Sequence, residues 1–135
     1  MAESVREGIL RHGESVELRY LQALDAGIDD LLWCEGLLIG TPENFGYMSG
    51  AVKDFLDRTY YPAQDKVAGL PYVLFVSAGN DGAGAVSALE RIAKGYGWRR
   101  VDDPLIVHGD VNAAIRAECA DLGEAFALGL ISGIY

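Results

Sequence analysis

The sequence has 135 residues, half of them apolar and 23% charged, which suits one globular domain with a core of its own. Its net charge of −9 argues against nucleic acid or an anionic membrane as a partner. No apolar run nears the roughly 18 residues of a membrane span, and nothing reads as a signal peptide. The two cysteines, Cys34 and Cys119, lie far apart and form no CxxC, so free thiols in a reducing cytoplasm are expected.

The chain opens with a helix expected over residues 1–12. Ala2, Val5 and Ile9 share a face, Arg11 and His12 suit its negative end, and Gly13 is placed to follow as C′. His12 is read there as a helix-end cation. Residues 15–21 alternate polar and apolar, with Val16, Leu18 and Tyr20 on one side, which predicts an edge strand. A short helix is expected over residues 25–35, carrying Ile28, Leu31 and Leu32. Asp29 and Asp30 answer the helix dipole at its start.

Residues 37–58 read LLIGTPENFGYMSGAVKDFLDR. Leu37, Leu38 and Ile39, bounded by Gly36 and Gly40, predict a strand buried on both faces. Val52, Phe55, Leu56 and Thr59 mark a helix stripe at i, i+3, i+4 and i+7. Ser49 is its expected N-cap, and Asp54 precedes Arg58 by one helical turn. Residues 60–69, with Pro62, read as a connector. A second apolar run, residues 72–77 (YVLFVS), predicts another buried strand and ends in a glycine-rich loop, residues 78–84. A helix with Val86, Leu89 and Ala93 on one face follows, ending near Gly95 or Gly97. Residues 105–107 are the last apolar run. A long final helix carries Ile115, Cys119, Leu122 and Phe126, and its apolar tail is expected to fray or to pack on a partner chain. Strands alternating with helices predict an α/β domain with a mostly parallel sheet over residues 1–135.

Two loops, residues 41–48 and 78–84, thus leave the ends of two buried strands, where open α/β sheets bind ligands. The first offers flat apolar surfaces at Pro42, Phe45, Tyr47 and Met48, and amides bared by Gly40 and Gly46. The second offers backbone amides with Asn80 and Asp81. That mixture suits a planar heterocycle with polar edges, although plain strand–helix turns favour the same residues. No GxSxG, HExxH or Walker loop is present. His108 follows a strand end and is read as a surface or structural residue, and Asp102–Asp103 before Pro104 as a solvated turn.

TPENFGYMSGAVKDFLDR resembles the second flavin loop and following helix of flavodoxin-like proteins, closest to the NADPH-dependent FMN reductases and the quinone reductases of the tryptophan-repressor-binding-protein type. VLFVSAGNDGAGAVSALERI resembles their next strand, loop and helix, and MAESVREGILRHG their first helix. The resemblance implies a flavodoxin-like three-layer sandwich. Thr41, Pro42, Glu43, Asn44, Phe45, Gly46 and Tyr47 would wrap the isoalloxazine and ribityl parts of FMN. Ser77, Gly79, Asn80, Asp81 and Gly82 would approach the ring from the other side. It also implies NAD(P)H as co-substrate, a quinone, flavin or similar small molecule as acceptor, and a homo-dimer or tetramer.

The sequence departs from that pattern at its start. The family begins with a strand and a Ser/Thr-rich phosphate loop, and MAESV matches the interior of the helix that follows. The first family strand and the phosphate site are therefore expected to be absent from these residues, with Met1 an internal methionine of a longer protein. FMN affinity is expected to fall accordingly. Two alternatives accompany the oxidoreductase reading: a cofactor-free flavodoxin-like binding or regulatory module or truncated product, and an acidic flavin electron carrier.

Overall fold

The computed structural model describes residues 1–135 and divides into two compact units. One comprises Leu21–His108; the other comprises Met1–Tyr20 with Gly109–Tyr135.

The Leu21–His108 unit is built on a parallel sheet. Strand β1 (Leu37–Pro42) pairs with β2 (Pro71–Ala78) in the register Ile39↔Leu74 and Pro42↔Ser77. The other edge of β2 is shared by two short strands. β3 (Arg99–Arg100) pairs at its start, and β4 (Leu105–His108) pairs at its end, with Ala78 opposite His108. β2 is buried from Pro71 to Val76, as its unbroken apolar run requires, and only Ser77 emerges near its carboxyl end. Phe75 lies so close to β1 that a Cβ on Gly40 would sit 2.2 Å from its ring.

Helix α3 (Gly50–Ala63) packs its predicted stripe inward, with Val52, Phe55, Leu56 and Thr59 all buried. Ser49 caps it by accepting the Val52 N–H at 3.2 Å, and the Arg58 Nε meets Asp54 at 2.7 Å. The same guanidinium donates to the carbonyls of Ala23 and Ala26, pinning the turn that leads into α2 (Ile28–Trp33). Helix α4 (Ala83–Tyr96) buries Ala85, Leu89 and Ala93 and stops at Gly97, which adopts the left-handed conformation that residues with a Cβ resist. Leu31, Ile39, Leu56, Leu74 and Leu89 meet in one core, each contributing about 1.5–3 kcal/mol of burial. Tyr96 joins α4 to α3: its hydroxyl donates to the Leu56 carbonyl and lies 2.8 Å from the Thr59 hydroxyl. Burial raises its pKa, so the phenol stays a donor.

The other unit is a helix pair, α1 (Ala2–Leu10) and α5 (Ala113–Ile131). They approach backbone to backbone. A Cβ on Gly8 would lie 1.8 Å from the Ala120 carbonyl oxygen, and one on Gly123 would lie 2.1 Å from that of Val5. Only glycine permits that contact. Arg11 and His12 both reach Glu124 of α5, at 2.6 and 3.0 Å. Cys119 is buried on α5, as its place on the stripe predicts, and burial raises its thiol pKa. The chain end folds back: the Ile134 N–H donates to the Gly129 carbonyl, and Tyr135 lies 5.6 Å from Phe126.

Several local expectations are corrected. Residues 15–21 form no strand, because alternation prepares a strand but only a paired neighbour makes one, and these residues have none. The helix expected over residues 25–35 shrinks to Ile28–Trp33, since the Asp30 carboxylate takes the Gly27 N–H and starts the helix there. Gly13 is not left-handed, and Arg11 caps α1 in a right-handed turn. The connector expected from residue 60 is helical as far as Ala63. Pro62 sits in the last turn, where only Ala63 follows it in the helix, so the backbone bond it removes is at the helix end and interrupts no further turn.

Candidate functional site

The carboxyl ends of β1 and β2 deliver both loops to the same side of the sheet. At the base of the first loop, Thr41 is buried and its hydroxyl is spent internally, donating to the Pro42 carbonyl and accepting the Ser49 N–H at 2.9 Å. Pro42 is exposed opposite Ser77. The Glu43 N–H donates to the Ser77 carbonyl at 2.8 Å, continuing the ladder one residue past the strand.

Asn44–Phe45–Gly46–Tyr47 then forms a tight two-residue hairpin turn. Asn44 and Tyr47 exchange backbone hydrogen bonds at 2.8 and 3.0 Å. Phe45 and Gly46 both have positive φ, 52° and 70°, the pattern of a type I′ turn. Glycine adopts this without strain, but a residue with a Cβ gives up roughly 1–2 kcal/mol. Phe45 gives it up while leaving its ring fully exposed, and Tyr47 is partly exposed beside it. A strained bulky residue whose ring contributes nothing to the core points to function at that turn. Met48, by contrast, is buried and belongs to the core.

The second loop is held from two directions. The Asp81 carboxylate accepts the Ala83 N–H at 3.0 Å, and the Glu43 carboxylate accepts those of Gly84 and Ala85 at 3.1 and 3.3 Å. Two carboxylates thus satisfy the first three N–H groups of α4 and face the positive end of its dipole. Gly82 is left-handed and buried against Ile106. Gly79 and Asn80 remain exposed, with open space where a Gly79 side chain would stand. The Asn80 carbonyl oxygen lies 2.8 Å from His108 Nδ1. A carbonyl only accepts, so Nδ1 carries the hydrogen and Nε2 is left free.

All twelve residues singled out in the sequence therefore lie on the two neighbouring strand ends and their loops, but in different capacities. Thr41, Glu43, Asp81 and Gly82 hold the loops in place. Pro42, Asn44, Phe45, Gly46, Tyr47, Ser77, Gly79 and Asn80 form the exposed surface. The sequence set His108 aside as a surface or structural residue and held Gly84 only as part of the second loop, and the structure gives each a specific contact there. His108 reaches the second loop because β4 pairs with β2, a register no local pattern reveals. Gly84 admits the first loop: a Cβ there would lie 2.0 Å from the Gly46 carbonyl oxygen.

The ring portion of FMN fits this arrangement. An exposed aromatic pair stands beside exposed, glycine-bared backbone at adjacent parallel strand ends. Glu43 and Asp81 already fill the start of α4, so no anionic group fits there.

The sequence profile of the NADPH-dependent FMN reductase family matches residues 14–109. A flavodoxin of Aquifex aeolicus (strain VF5) is 36% identical over 84 residues, which cover 62% of this chain and 45% of that protein. The matched part thus spans about half the length of that relative. Among solved structures, a flavodoxin from the domain Archaea superposes with a TM-score of 0.75 at 18% identity, covering 97% of this chain and 90% of the other. An NADH:FMN oxidoreductase in its apo form gives 0.71 at 19% identity, covering 94% and 79%. These likenesses show a flavodoxin-like fold. With the profile match extending over most of its length, the chain belongs to the NADPH-dependent FMN reductase family.

Proposed function

We propose that this chain binds the ring of FMN between the turn at Phe45 and the loop at Gly79–Asn80, and that it works as an NAD(P)H-dependent oxidoreductase. The observation that carries the reading is the strained turn that exposes Phe45 beside open backbone. Bound FMN would supply the redox chemistry, accepting a hydride from the nicotinamide and returning two electrons to a quinone, a free flavin or a similar acceptor, with protons from solvent. The chain's own part is binding and orientation. Phe45 and Tyr47 offer faces for stacking, the amides of Gly79 and Asn80 offer donors to polar ring edges, and Thr41, Glu43 and Asp81 keep both loops in place.

The test is a titration of the 135-residue chain with FMN, followed by flavin fluorescence, and then NAD(P)H oxidation with a quinone. Saturable quenching and turnover are expected, and a fluorescence signal that never saturates would sink the reading for this chain. The similarity to a flavodoxin, with a net charge of −9, favours a second reading as an acidic electron carrier. That reading predicts flavin binding without direct NAD(P)H oxidation.

Self-association belongs to the proposal. Leu128, Ile131 and Ile134 are exposed near the end of α5, an apolar group that suits a copy of the same chain. Sedimentation at several concentrations checks it. A cytoplasmic location is proposed from the two free cysteines. No helix is long and apolar enough to cross a membrane.

A further inference from the structure

We infer that Glu43 is a positioning residue that sets the separation of the two flavin-facing loops, and not a ligand of the cofactor. The inference rests on the proposal that these loops take FMN. Glu43 is one residue with three attachments. Its N–H is bonded to the Ser77 carbonyl at the end of β2, and its carboxylate is bonded to the N–H groups of Gly84 and Ala85 at the start of α4. It therefore ties the first loop to both ends of the second.

Three residues further on, the Gly46 carbonyl oxygen rests against Gly84 so closely that no side chain could intervene. The turn that carries Phe45 is thus held at two points, by the Glu43 carboxylate and by the Gly46–Gly84 contact. Asp81 completes the same helix start through Ala83. The Oε2 of Glu43 is committed to the two backbone donors of Gly84 and Ala85, so that oxygen is not available to a ligand. Its charge also guards the positive end of α4 against an anionic group of the cofactor. The surface left for the ring is the outward side of the Phe45 turn and the Gly79–Asn80 backbone.

The experiment compares Glu43→Ala, Glu43→Gln and Gly84→Ala in the full 135-residue chain. It reads amide hydrogen exchange at residues 84 and 85 without cofactor, FMN affinity by fluorescence, and the visible circular dichroism of bound flavin. Glu43→Ala should speed exchange at both amides by about tenfold or more and weaken FMN by a similar factor, the scale of one lost charge-assisted bond. Glu43→Gln keeps an acceptor oxygen without the charge and should restore both within about threefold. Gly84→Ala leaves Glu43 intact but forces the loops apart, so it should reproduce the loss of affinity and the altered flavin dichroism.

Unchanged exchange in Glu43→Ala overturns the clamp. A Glu43→Gln chain with slow exchange but affinity as poor as Glu43→Ala overturns the positioning role, because the charge would then be meeting the cofactor directly. If the unaltered chain binds no FMN, the functional proposal fails by itself. The exchange comparison, together with the separation of the loops in Gly84→Ala measured by nuclear Overhauser contacts between residues 46 and 84, then decides the role of Glu43 as spacer.

Discussion

At the scale of single residues, Phe45 carries two opposed effects. Its left-handed backbone costs roughly 1–2 kcal/mol, and its exposed ring returns nothing to the fold. Asparagine tolerates that conformation and favours the first central position of a type I′ turn. Phe45→Asn should therefore leave thermal stability unchanged or raise it by up to about 1 kcal/mol. The same change removes a stacking face, and FMN affinity should fall about three- to tenfold. Melting curves and flavin titrations on the same variant check both halves. A loss of stability with no loss of affinity would place the ring in the fold and not at the site.

Elements are joined here by a few buried polar bonds inside apolar contacts. The Tyr96 hydroxyl links α4 to α3 through the Leu56 carbonyl and the Thr59 hydroxyl, within a stack that includes Trp98 at 4.2 Å. Tyr96→Phe keeps the stack and removes the bond, leaving buried polar atoms short of a partner. Urea unfolding should show a loss of about 1–3 kcal/mol. FMN affinity should change little, because Tyr96 lies at the far end of α4 from the loops. The strand–loop–helix around Thr41 was legible in the sequence because its determinants are local. The Ser49 cap, the stripe from Val52 to Thr59 and the Asp54–Arg58 pair each lie within a turn or two of chain. Residues 15–21 were misleading for the opposite reason: their alternation is local, but their partner strand had to come from elsewhere. Pro62 misled because proline reads as a helix breaker, yet here it stands one residue before the end of α3 and has no further turn to disrupt.

At the scale of the whole chain, acid should act first on the helix pair. Hydrogen bonds from Arg11, then His12, hold the Glu124 carboxyl below its ordinary value of 4.5. A carboxyl whose folded pKa is depressed stabilises the fold above its unfolded value and loses that contribution as pH falls through the folded one. Glu124→Gln should therefore melt at a lower temperature than the parent near neutral pH. The gap should narrow as pH drops below about 4.5 and close where both side chains are neutral. Thermal melts from pH 7 down to pH 3 check this, and a gap independent of pH would assign Glu124 a role other than charge.

The sequence by itself determined the parallel α/β class, the buried strands β1 and β2, and the two loops at their carboxyl ends. Periodicity, caps and glycine-rich breaks are properties of neighbouring residues, and hydrophobic burial enforces them wherever the chain packs. Only the tertiary structure decided how those loop residues divide their work. That Glu43 spans to Gly84, that His108 meets Asn80, and that Gly84 and Gly8 must be glycine to admit the carbonyls of Gly46 and Ala120 all depend on strand register and helix approach. Those contacts join residues tens of positions apart, and no spacing within one segment encodes them.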